Sequence, residues 1–158
     1  MTLISTTTLS GATTTISSIP ATYNTLYLVI DDAIGADDAE LRMRFNGDSN
    51  ANRHCSAYNN AFSGTANTFS SNFQRITINT DNTTATAFST IEIPNYTNTT
   101  SWKFAKIIGV NNDETTTTSI RINQSIGAYN QTGAISSLAF FFGSGNAAGG
   151  TIKLYGVK

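Results

Sequence analysis

The residues of this chain best suited to chemistry are its single histidine and its single cysteine, which are neighbours, His54 and Cys55. A nucleophilic Cys–His pair requires both side chains to converge on one point. Adjacent residues of a β-strand point to opposite faces, so the strand predicted at 54–58 separates the two. One histidine and one cysteine also fall short of a structural zinc site unless two carboxylates join them. We therefore expect a buried Cys55 beside a surface His54, and no catalytic pair.

A second candidate is an oxygen-rich run that matches the first half of a calcium-binding loop. Asp48, Asn50 and Asn52 place oxygen-bearing side chains at alternate positions. The match then fails, because Arg53 stands where the sharp-turn glycine belongs and Asn59 stands where the bidentate glutamate belongs. The sequence therefore predicts a polar loop here and no metal site.

The remaining carboxylates offer two weaker candidates. The densest acidic cluster could hold a cation between subunits, although a solvated loop or pairing with arginines of a neighbouring copy explains it better. Its members are Asp31, Asp32, Asp37, Asp38 and Glu40. A glycoside hydrolase needs two acids that face each other across a cleft, whereas Glu92 and Glu114 lie in a predicted strand and a predicted turn. We therefore expect no catalytic residue, no bound metal and no cofactor, and we predict that the chain is not an enzyme.

The composition favours a rigid β-structure with little charge. Thr, Ser and Asn make up over a third of the 158 residues, whereas charged residues make up 12% and the formal net charge is −1. This balance argues against nucleic acid binding, which needs a basic surface, and against polybasic attachment to a membrane. No apolar run reaches the roughly 18 residues that span a bilayer. The N-terminus lacks the pattern of a secretory signal, so we expect a protein that is made in a cytoplasm and either stays there or leaves by a route that needs no signal.

The hydrophobic pattern is that of short β-strands separated by turn residues, with no convincing helical period. One strand alternates most clearly. Leu41, Met43 and Phe45 face one side. Arg42 and Arg44 face the other. Such a strand buries one face and leaves the other for solvent or for a partner.

Turn signals and strand spacing set the predicted fold class. Asn46-Gly47 favours positive φ and predicts a hairpin whose return strand lies at 54–58. Regularly spaced short strands with polar turns are typical of a sandwich, and we predict an all-β, jelly-roll-like antiparallel β-sandwich. Two prolines and no linker-like segment favour a single domain over 1–158, in which 1–10 form an extended N-terminal arm or an edge strand.

Aromatic residues indicate surfaces for contact. Phe140, Phe141 and Phe142 cannot all face inward on one strand, so at least one must face another sheet surface or another subunit, which favours oligomerisation. Trp102 is expected to pack inside the sandwich. Alternatively, aromatic side chains could stack on sugars along a binding surface. That set is Tyr58, Tyr96, Trp102 and Tyr129.

Three stretches resemble a family of phage virion proteins. Residues 16–26 (ISSIPATYNTL) are similar to an I-x-x-I-P-x-x-Y-x-x-L lead-in to the first long strand. Residues 41–48 (LRMRFNGD) are similar to an R-F-N-G-D hairpin, and residues 149–158 (GGTIKLYGVK) are similar to a G-T-I-x-L-Y-G closing strand. Similar domains occur in head-decorating proteins and in tail or fibre proteins, where they are β-sandwiches that commonly assemble as trimers.

The resemblance implies a virion structural protein without catalytic residues. The expected function is that of a homotrimeric capsid cement or decoration protein on the capsid exterior, which stabilises the shell through contacts with the major capsid protein. The alternative is a receptor-binding module of a tail or fibre that recognises host glycans. Candidate interface residues lie on the N-terminal strand, on the arginine side of the predicted 40–46 strand and in the phenylalanine cluster. They are Thr2, Leu3, Ile4, Arg42, Arg44 and Phe141.

Each candidate surface has an expected partner. The N-terminal strand could pair with an exposed edge of the shell or of a neighbouring copy, as in strand addition. The side of Arg42 and Arg44 could make ionic contacts with an acidic shell surface. Truncation of 1–10 is then expected to abolish shell binding while sparing the fold.

Overall fold

The chain folds into β-strands and, over the residues that the structure describes, contains no helix. The structure is a computed structural model that describes residues 1–60, 66–84, 87–112 and 120–158. The strands are β1 (Thr2–Thr8), β2 (Thr14–Ile16), β3 (Thr25–Gly35), β4 (Leu41–Phe45), β5 (His54–Asn60), β6 (Ala66–Ser71), β7 (Gln74–Arg75), β8 (Ala87–Pro94), β9 (Lys103–Asn112), β10 (Ile120–Tyr129), β11 (Leu138–Phe142) and β12 (Ala147–Val157). Within these ranges no helix is long and apolar enough to cross a bilayer.

The larger of the two sheets contains eight strands in the order β1-β12-β3-β8-β9-β10-β5-β6. Every neighbouring pair in it is antiparallel. The long strands β3 and β12 lie side by side towards the β1 edge, and β9 and β10 lie side by side towards the β6 edge. The two edges of this sheet are therefore formed by β1 and β6.

The smaller sheet contains four strands in the order β2-β11-β4-β7. Each of these strands is preceded and followed along the chain by a strand of the larger sheet. The chain therefore passes repeatedly from one sheet to the other, which is the jelly-roll-like feature of the fold. The prediction of an all-β antiparallel β-sandwich is confirmed.

The hydrophobic core lies between the two sheets. The inner side of the smaller sheet contributes Met43 and Phe45 from β4 and Phe140 from β11, all of them buried. The larger sheet packs against them with branched aliphatic residues. These include Leu26, Leu28, Ile30, Ile91, Ile93, Ile107, Ile152 and Leu154. Each fully buried side chain of this kind favours the folded state by about 1.5–3 kcal/mol relative to exposure, so the core holds the two sheets together.

The turn at Asn46-Gly47 has the predicted backbone but does not form the predicted hairpin. Both residues have positive φ, 52° for Asn46 and 63° for Gly47. However, β4 pairs with β11 and β7, whereas β5 pairs with β10 and β6. The Asn46 side chain accepts hydrogen bonds from the N–H groups of Ser136 and Ser137, which fixes the turn to the segment before β11. The hairpin prediction is wrong because the turn residues determine a local reversal and not the strand partner.

Polar residues line the inner side of β9 and β10, beneath the segment that follows β7. Asn123 Nδ2 donates to the Ile76 carbonyl at 2.7 Å, and Asn111 Nδ2 donates to the Ile78 carbonyl at 2.7 Å. These amides satisfy buried backbone carbonyls that lie outside any strand. The approach is close, because a Cβ on Gly127 of β10 would lie 2.4 Å from Gln74 Oε1. Beneath this segment the inner side of these strands is therefore occupied by small and polar residues, whereas Ile107 and Tyr129 on the same side belong to the hydrophobic core.

Candidate functional site

The outer side of β8, β9 and β10 carries a continuous hydrophobic surface, hereafter the apolar face. Its members among the described residues are Phe88, Phe104, Ile108, Val110, Ile120, Ile122 and Ile126, with Trp102 immediately before β9. Three side chains are especially open to solvent: Trp102 is 55% exposed, Phe104 is 48% exposed and Ile126 is 60% exposed. Exposed hydrophobic side chains that cluster in this way are uncommon on monomeric proteins, and such patches often belong to binding surfaces.

The strand register brings these side chains together. Val110 on β9 lies opposite Phe88 on β8 and opposite Ile122 on β10, which makes a hydrophobic row across three strands. Side chains opposite one another on neighbouring strands have Cβ atoms about 4.5–5.5 Å apart, so the row is contiguous. An antiparallel sheet with one solvated face normally presents polar side chains on that face. The apolar face departs from this rule at the centre of the sheet.

The two sides of β10 have the opposite polarity to the usual arrangement. Asn123 and Ser125 are buried on the inner side, whereas Ile122 and Ile126 are exposed on the outer side. On β9 the buried inner side includes Lys103, and burial lowers the pKa of its ammonium group. Exposed isoleucines and buried polar groups both cost free energy in an isolated chain. This part of the sheet therefore has the composition of a contact surface rather than a solvated one.

The prediction that Trp102 packs inside the sandwich is wrong, because it projects on the same outer side as Phe104. The aromatic set considered for sugar stacking is not assembled. Tyr96 and Tyr129 are buried, and the side chain of Tyr58 lies outside the described residues. Tyr96 and Tyr129 therefore do not offer exposed rings beside Trp102.

The outer side of the smaller sheet carries a second surface, hereafter the arginine face, formed by Glu40, Arg42, Arg44, Phe73, Arg75 and Phe141. The Arg42 guanidinium lies over the Phe73 ring, with 4.1 Å between Cζ and the ring centroid. The Arg44 guanidinium lies over the Phe141 ring at 4.2 Å. The two rings meet edge to face with their centroids 6.3 Å apart. Cation–π contacts contribute about 0.5–2 kcal/mol each, so this stacking positions both guanidinium groups.

One carboxylate serves two of these arginines. Glu40 Oε1 accepts a hydrogen bond from Arg42 Nε at 2.9 Å and lies 3.6 Å from a terminal nitrogen of Arg75. Burial alone would raise the pKa of Glu40, but the two arginines hold it below its ordinary value. Arg44 has no carboxylate partner among the described residues, and its Nε donates to the Asn72 carbonyl at 2.9 Å. Burial and the charge of Arg42 lower the pKa of Arg44, so Arg44 is the cation best placed to gain from an acidic partner.

The sequence correctly placed Arg42 and Arg44 together on one side of β4. Phe141 also faces outward, but it is only 9% exposed because Arg44 and Phe73 cover its ring. The exposed hydrophobic area expected around Phe141 is therefore not found on the smaller sheet. Exposed hydrophobic side chains lie instead on the outer side of the larger sheet, on the apolar face. Phe73 and Arg75 complete the arginine face, and sequence reasoning missed them because no local pattern links their segment to β4.

The N-terminal segment forms the edge strand β1, which pairs with β12. Thr2 and Leu3 are exposed on this edge, whereas Ile4 is half-buried and packs against the core. Leu9 follows β1 and is itself a core residue. Removal of 1–10 would uncover the edge of β12 and take Leu9 out of the core. We therefore expect this truncation to destabilise the fold, in contrast to the expectation from the sequence.

His54 and Cys55 lie on opposite sides of β5 as predicted, but with their positions exchanged. His54 is 1% exposed, and Cys55 is half-buried. The Phe45 N–H donates to His54 Nε2 at 3.2 Å, and the imidazole stacks on Tyr129 with ring centroids 4.7 Å apart. Burial lowers the pKa of His54 to about 4. The prediction of a buried Cys55 beside a surface His54 is wrong, because the inner position of β5 faces the aromatic part of the core.

Asp48 organises the loop between β4 and β5. Its Oδ2 accepts hydrogen bonds from the Tyr129 hydroxyl at 2.9 Å and from Arg53 at 3.1 Å, and its Oδ1 accepts one from the Asn50 N–H at 3.0 Å. Burial alone would raise the pKa of Asp48, but these hydrogen bonds hold it well below its usual range. Burial and the bond to Asp48 raise the pKa of Tyr129 to about 12. The carboxylate that headed the calcium-like run thus serves as a structural acceptor.

The acidic residues are divided among separate partners. Asp31 pairs with Lys153 at 3.3 Å, and Glu40 belongs to the arginine face. Glu92 lies exposed on the outer side of β8, and Glu114 lies outside the described residues. In the described ranges, no three His, Cys, Asp or Glu residues form a group that could hold a metal ion.

Comparison with known proteins gives no family for the chain. No family model matches it, and no curated protein matches it significantly. Among solved structures, the crystal structure of a human SPRY domain is similar at 9% identity and a TM-score of 0.21, over 89% of this chain and 90% of that one. The binding domain of botulinum neurotoxin DC in complex with SialylT is similar at 11% identity and a TM-score of 0.21, over 94% of this chain and 39% of that one. Scores at this level carry no inference about what the chain binds.

Proposed function

We propose that the chain is a phage virion structural protein, namely a homotrimeric capsid decoration protein that lies on the capsid exterior and stabilises the shell by non-covalent contacts with the major capsid protein. The observation that carries this proposal is the pair of dissimilar outer surfaces on opposite sheets. A decoration protein must contact two kinds of neighbour, its own copies and the shell. One hydrophobic surface and one cationic surface, on opposite sides of a stiff sandwich, suit those two contacts.

The shell contact is assigned to the arginine face. Arg44 lacks a carboxylate partner among the described residues, and its guanidinium is already positioned by Phe141. A positioned guanidinium loses little conformational entropy on binding and can engage a carboxylate with two parallel hydrogen bonds. An acidic patch on the shell surface would supply those carboxylates. Because many copies bind one shell, modest contacts of this kind sum to a large resistance against internal pressure.

The stretches that resemble the phage family support the proposal through their structural positions. The Tyr23 ring of the first stretch lies against Gly156 of the third, where an added Cβ would come within 2.3 Å of the ring. Asn46 and Gly47 of the second stretch make the turn between the two sheets. Residues far apart in sequence thus contact one another or connect the layers. The resemblance accordingly concerns the framework of the sandwich and brings no catalytic group with it.

Co-sedimentation with shells purified without the chain tests this function. The wild-type chain is expected to bind at hundreds of copies per shell and to raise the temperature at which shells release their contents. Arg44→Gln is expected to weaken shell binding at least about 10-fold, the loss of one charge-assisted contact. Lys153→Gln, which removes an exposed cation from the other sheet, is the matched control and should bind as the wild type does.

A few copies per particle, together with binding to host cells or purified glycans, would contradict the decoration function. That result would favour a tail or fibre module that recognises glycans. Equal shell binding by Arg44→Gln and by the wild type would show that the arginine face is not the shell contact.

A further inference from the structure

The apolar face is a mostly hydrophobic surface with one acid and one base. Among the described outward positions of β8, β9 and β10, only Glu92 and Lys106 are charged. They lie opposite each other in the register of β8 and β9, and Ile126 on β10 is the next residue in the same row. Neither Glu92 nor Lys106 is engaged in an ion pair with another residue of the described ranges. The surface is therefore neutral overall, with a charge of each sign available near its centre.

This charge distribution fits a second copy of the same surface. Two neutral faces do not repel each other, and an acid and a base on each copy allow Glu92 of one copy to face Lys106 of the next. A partner with an excess of either charge would leave one of these two groups opposed by a like charge or buried without a partner, which costs free energy. In a cyclic trimer each copy contacts its two neighbours through different parts of its surface, so a face that carries both an acid and a base can supply both partners of such a contact.

The size of the apolar face also fits contact between copies. β9 and β10 each contain 10 residues and β8 contains 8. With strands about 4.8 Å apart and about 3.3 Å per residue, three such strands cover roughly 440 Å2 in projection, and the protruding side chains have a larger accessible area. A standard protein interface buries about 800 Å2 per partner. The face is therefore large enough to form a substantial part of a protein–protein interface, and it is comparable to the largest hydrophobic patches that single domains expose.

We propose that the apolar face is the interface between copies of this chain, with the hydrophobic side chains of β8, β9 and β10 packed around the symmetry axis and Glu92 of each copy paired with Lys106 of its neighbour. The inference rests on the proposed homotrimer and names the surface that makes it. Ile126 and Phe104 are the anchors of this interface, because they are among the most exposed hydrophobic side chains of the face. The arginine face, on the opposite sheet, remains free for the shell.

Sedimentation equilibrium of the purified full chain tests the interface. The wild type is expected at three times the 16.8 kDa mass of one chain. Ile126→Asp should weaken association at least about 100-fold, which is the usual effect of removing a central interface anchor. Leu3→Asp is the matched control, because Leu3 is 53% exposed on the edge strand β1 and lies outside the apolar face. Far-UV circular dichroism confirms that each variant is folded.

Removal of one charge at a time gives the sharper arm of the experiment. Glu92→Gln and Lys106→Gln should each weaken association, because each leaves the opposite charge of a neighbouring copy without its partner. Glu92 and Lys106 also lie opposite each other within one chain, so neutral replacements avoid placing like charges side by side on the same sheet. The single tryptophan provides a second readout. Trp102 should emit at longer wavelength in the dissociated Ile126→Asp protein than in the wild type, since its ring returns to water.

The possible results separate this inference from the proposed function. A wild-type monomer at micromolar concentration that still decorates shells would overturn the interface while leaving the decoration function in place. An Ile126→Asp protein that remains trimeric, or a Leu3→Asp protein that dissociates equally, would also overturn it. A wild-type trimer that dissociates on Ile126→Asp but never binds shells would support the interface and contradict the decoration function.

Discussion

Acidification should destabilise this protein through one residue, His54. The side chain is 1% exposed, and its Nε2 accepts a hydrogen bond from the Phe45 N–H. Its Nδ1 is buried and has no hydrogen-bond partner among the described residues. Protonation would charge a ring that has little access to water and would turn Nε2 into a donor that faces another donor. Burial accordingly lowers the pKa of His54 from 6.5 to about 4.

The sign and size of the effect follow from that lowered pKa. The unfolded chain takes up a proton near pH 6.5 and the folded chain only near pH 4, so the free energy of unfolding falls as the pH decreases through this window. Above pH 6.5 the full stability is present, and below pH 4 no further loss comes from His54. A difference of about 2.5 pKa units corresponds to roughly 3 kcal/mol at 1.36 kcal/mol per unit. That loss is a large fraction of the 5–15 kcal/mol typical of folded domains.

Urea unfolding at fixed chain concentration, repeated from pH 7.5 to pH 4.0, measures this loss. His54 is the only histidine, so His54→Gln removes the titration without another imidazole to replace it. The wild type should lose roughly 3 kcal/mol across the window, and the variant should start less stable and change much less. Asp48 does not interfere with this measurement, because folding lowers its pKa from 3.8. The stability that Asp48 contributes is therefore lost only below pH 3.8, outside the range measured. Parallel pH profiles for the two proteins would refute this account of His54.

Two further substitutions test the packing of the sandwich. Gly156→Ala should destabilise the chain by about 1–3 kcal/mol in thermal or urea unfolding, since its Cβ would overlap the Tyr23 ring. Adding Tyr23→Ala should remove most of that difference, and an unchanged penalty would show that the overlap is not its cause. Asn123→Ala should cost about 1–3 kcal/mol, because the buried Ile76 carbonyl loses the amide that donates to it. An Asn123→Ala protein as stable as the wild type would show that this carbonyl finds another donor.

The strands were predictable from alternation, but which side of a strand is buried was not. On β9, Phe104 and Ile108 lie on one side of the strand, and Lys103 and Asn111 lie on the other. Because hydrophobic side chains usually face the core, Phe104 and Ile108 would be expected on the inner side. In the structure they lie on the outer side. The reason is the close approach of the segment after β7, whose carbonyls need amide donors and leave no room for large side chains. Glycines such as Gly109 within a strand were the available signal, because they mark close backbone approach.

Strand partners and contacts between distant segments were beyond the sequence. Asn46-Gly47 predicted a turn correctly, yet the strands on either side join different sheets, with β4 between β11 and β7 and β5 between β10 and β6. The pairing of Arg42 with Phe73 depends on β7 lying next to β4, which no local pattern encodes. Half of the candidate site, the side of β4 with its two arginines, was therefore predictable. The apolar face and the aromatic partners of the arginines required the three-dimensional register.

The proposal that this chain is a trimeric decoration protein is tested most directly by a cryo-electron microscopy map of shells decorated with it. Three copies are expected around each site, with the apolar faces of β8, β9 and β10 turned towards one another and Arg44 turned towards the shell. Isolated single copies with Phe104 and Ile126 facing solvent would contradict this proposal.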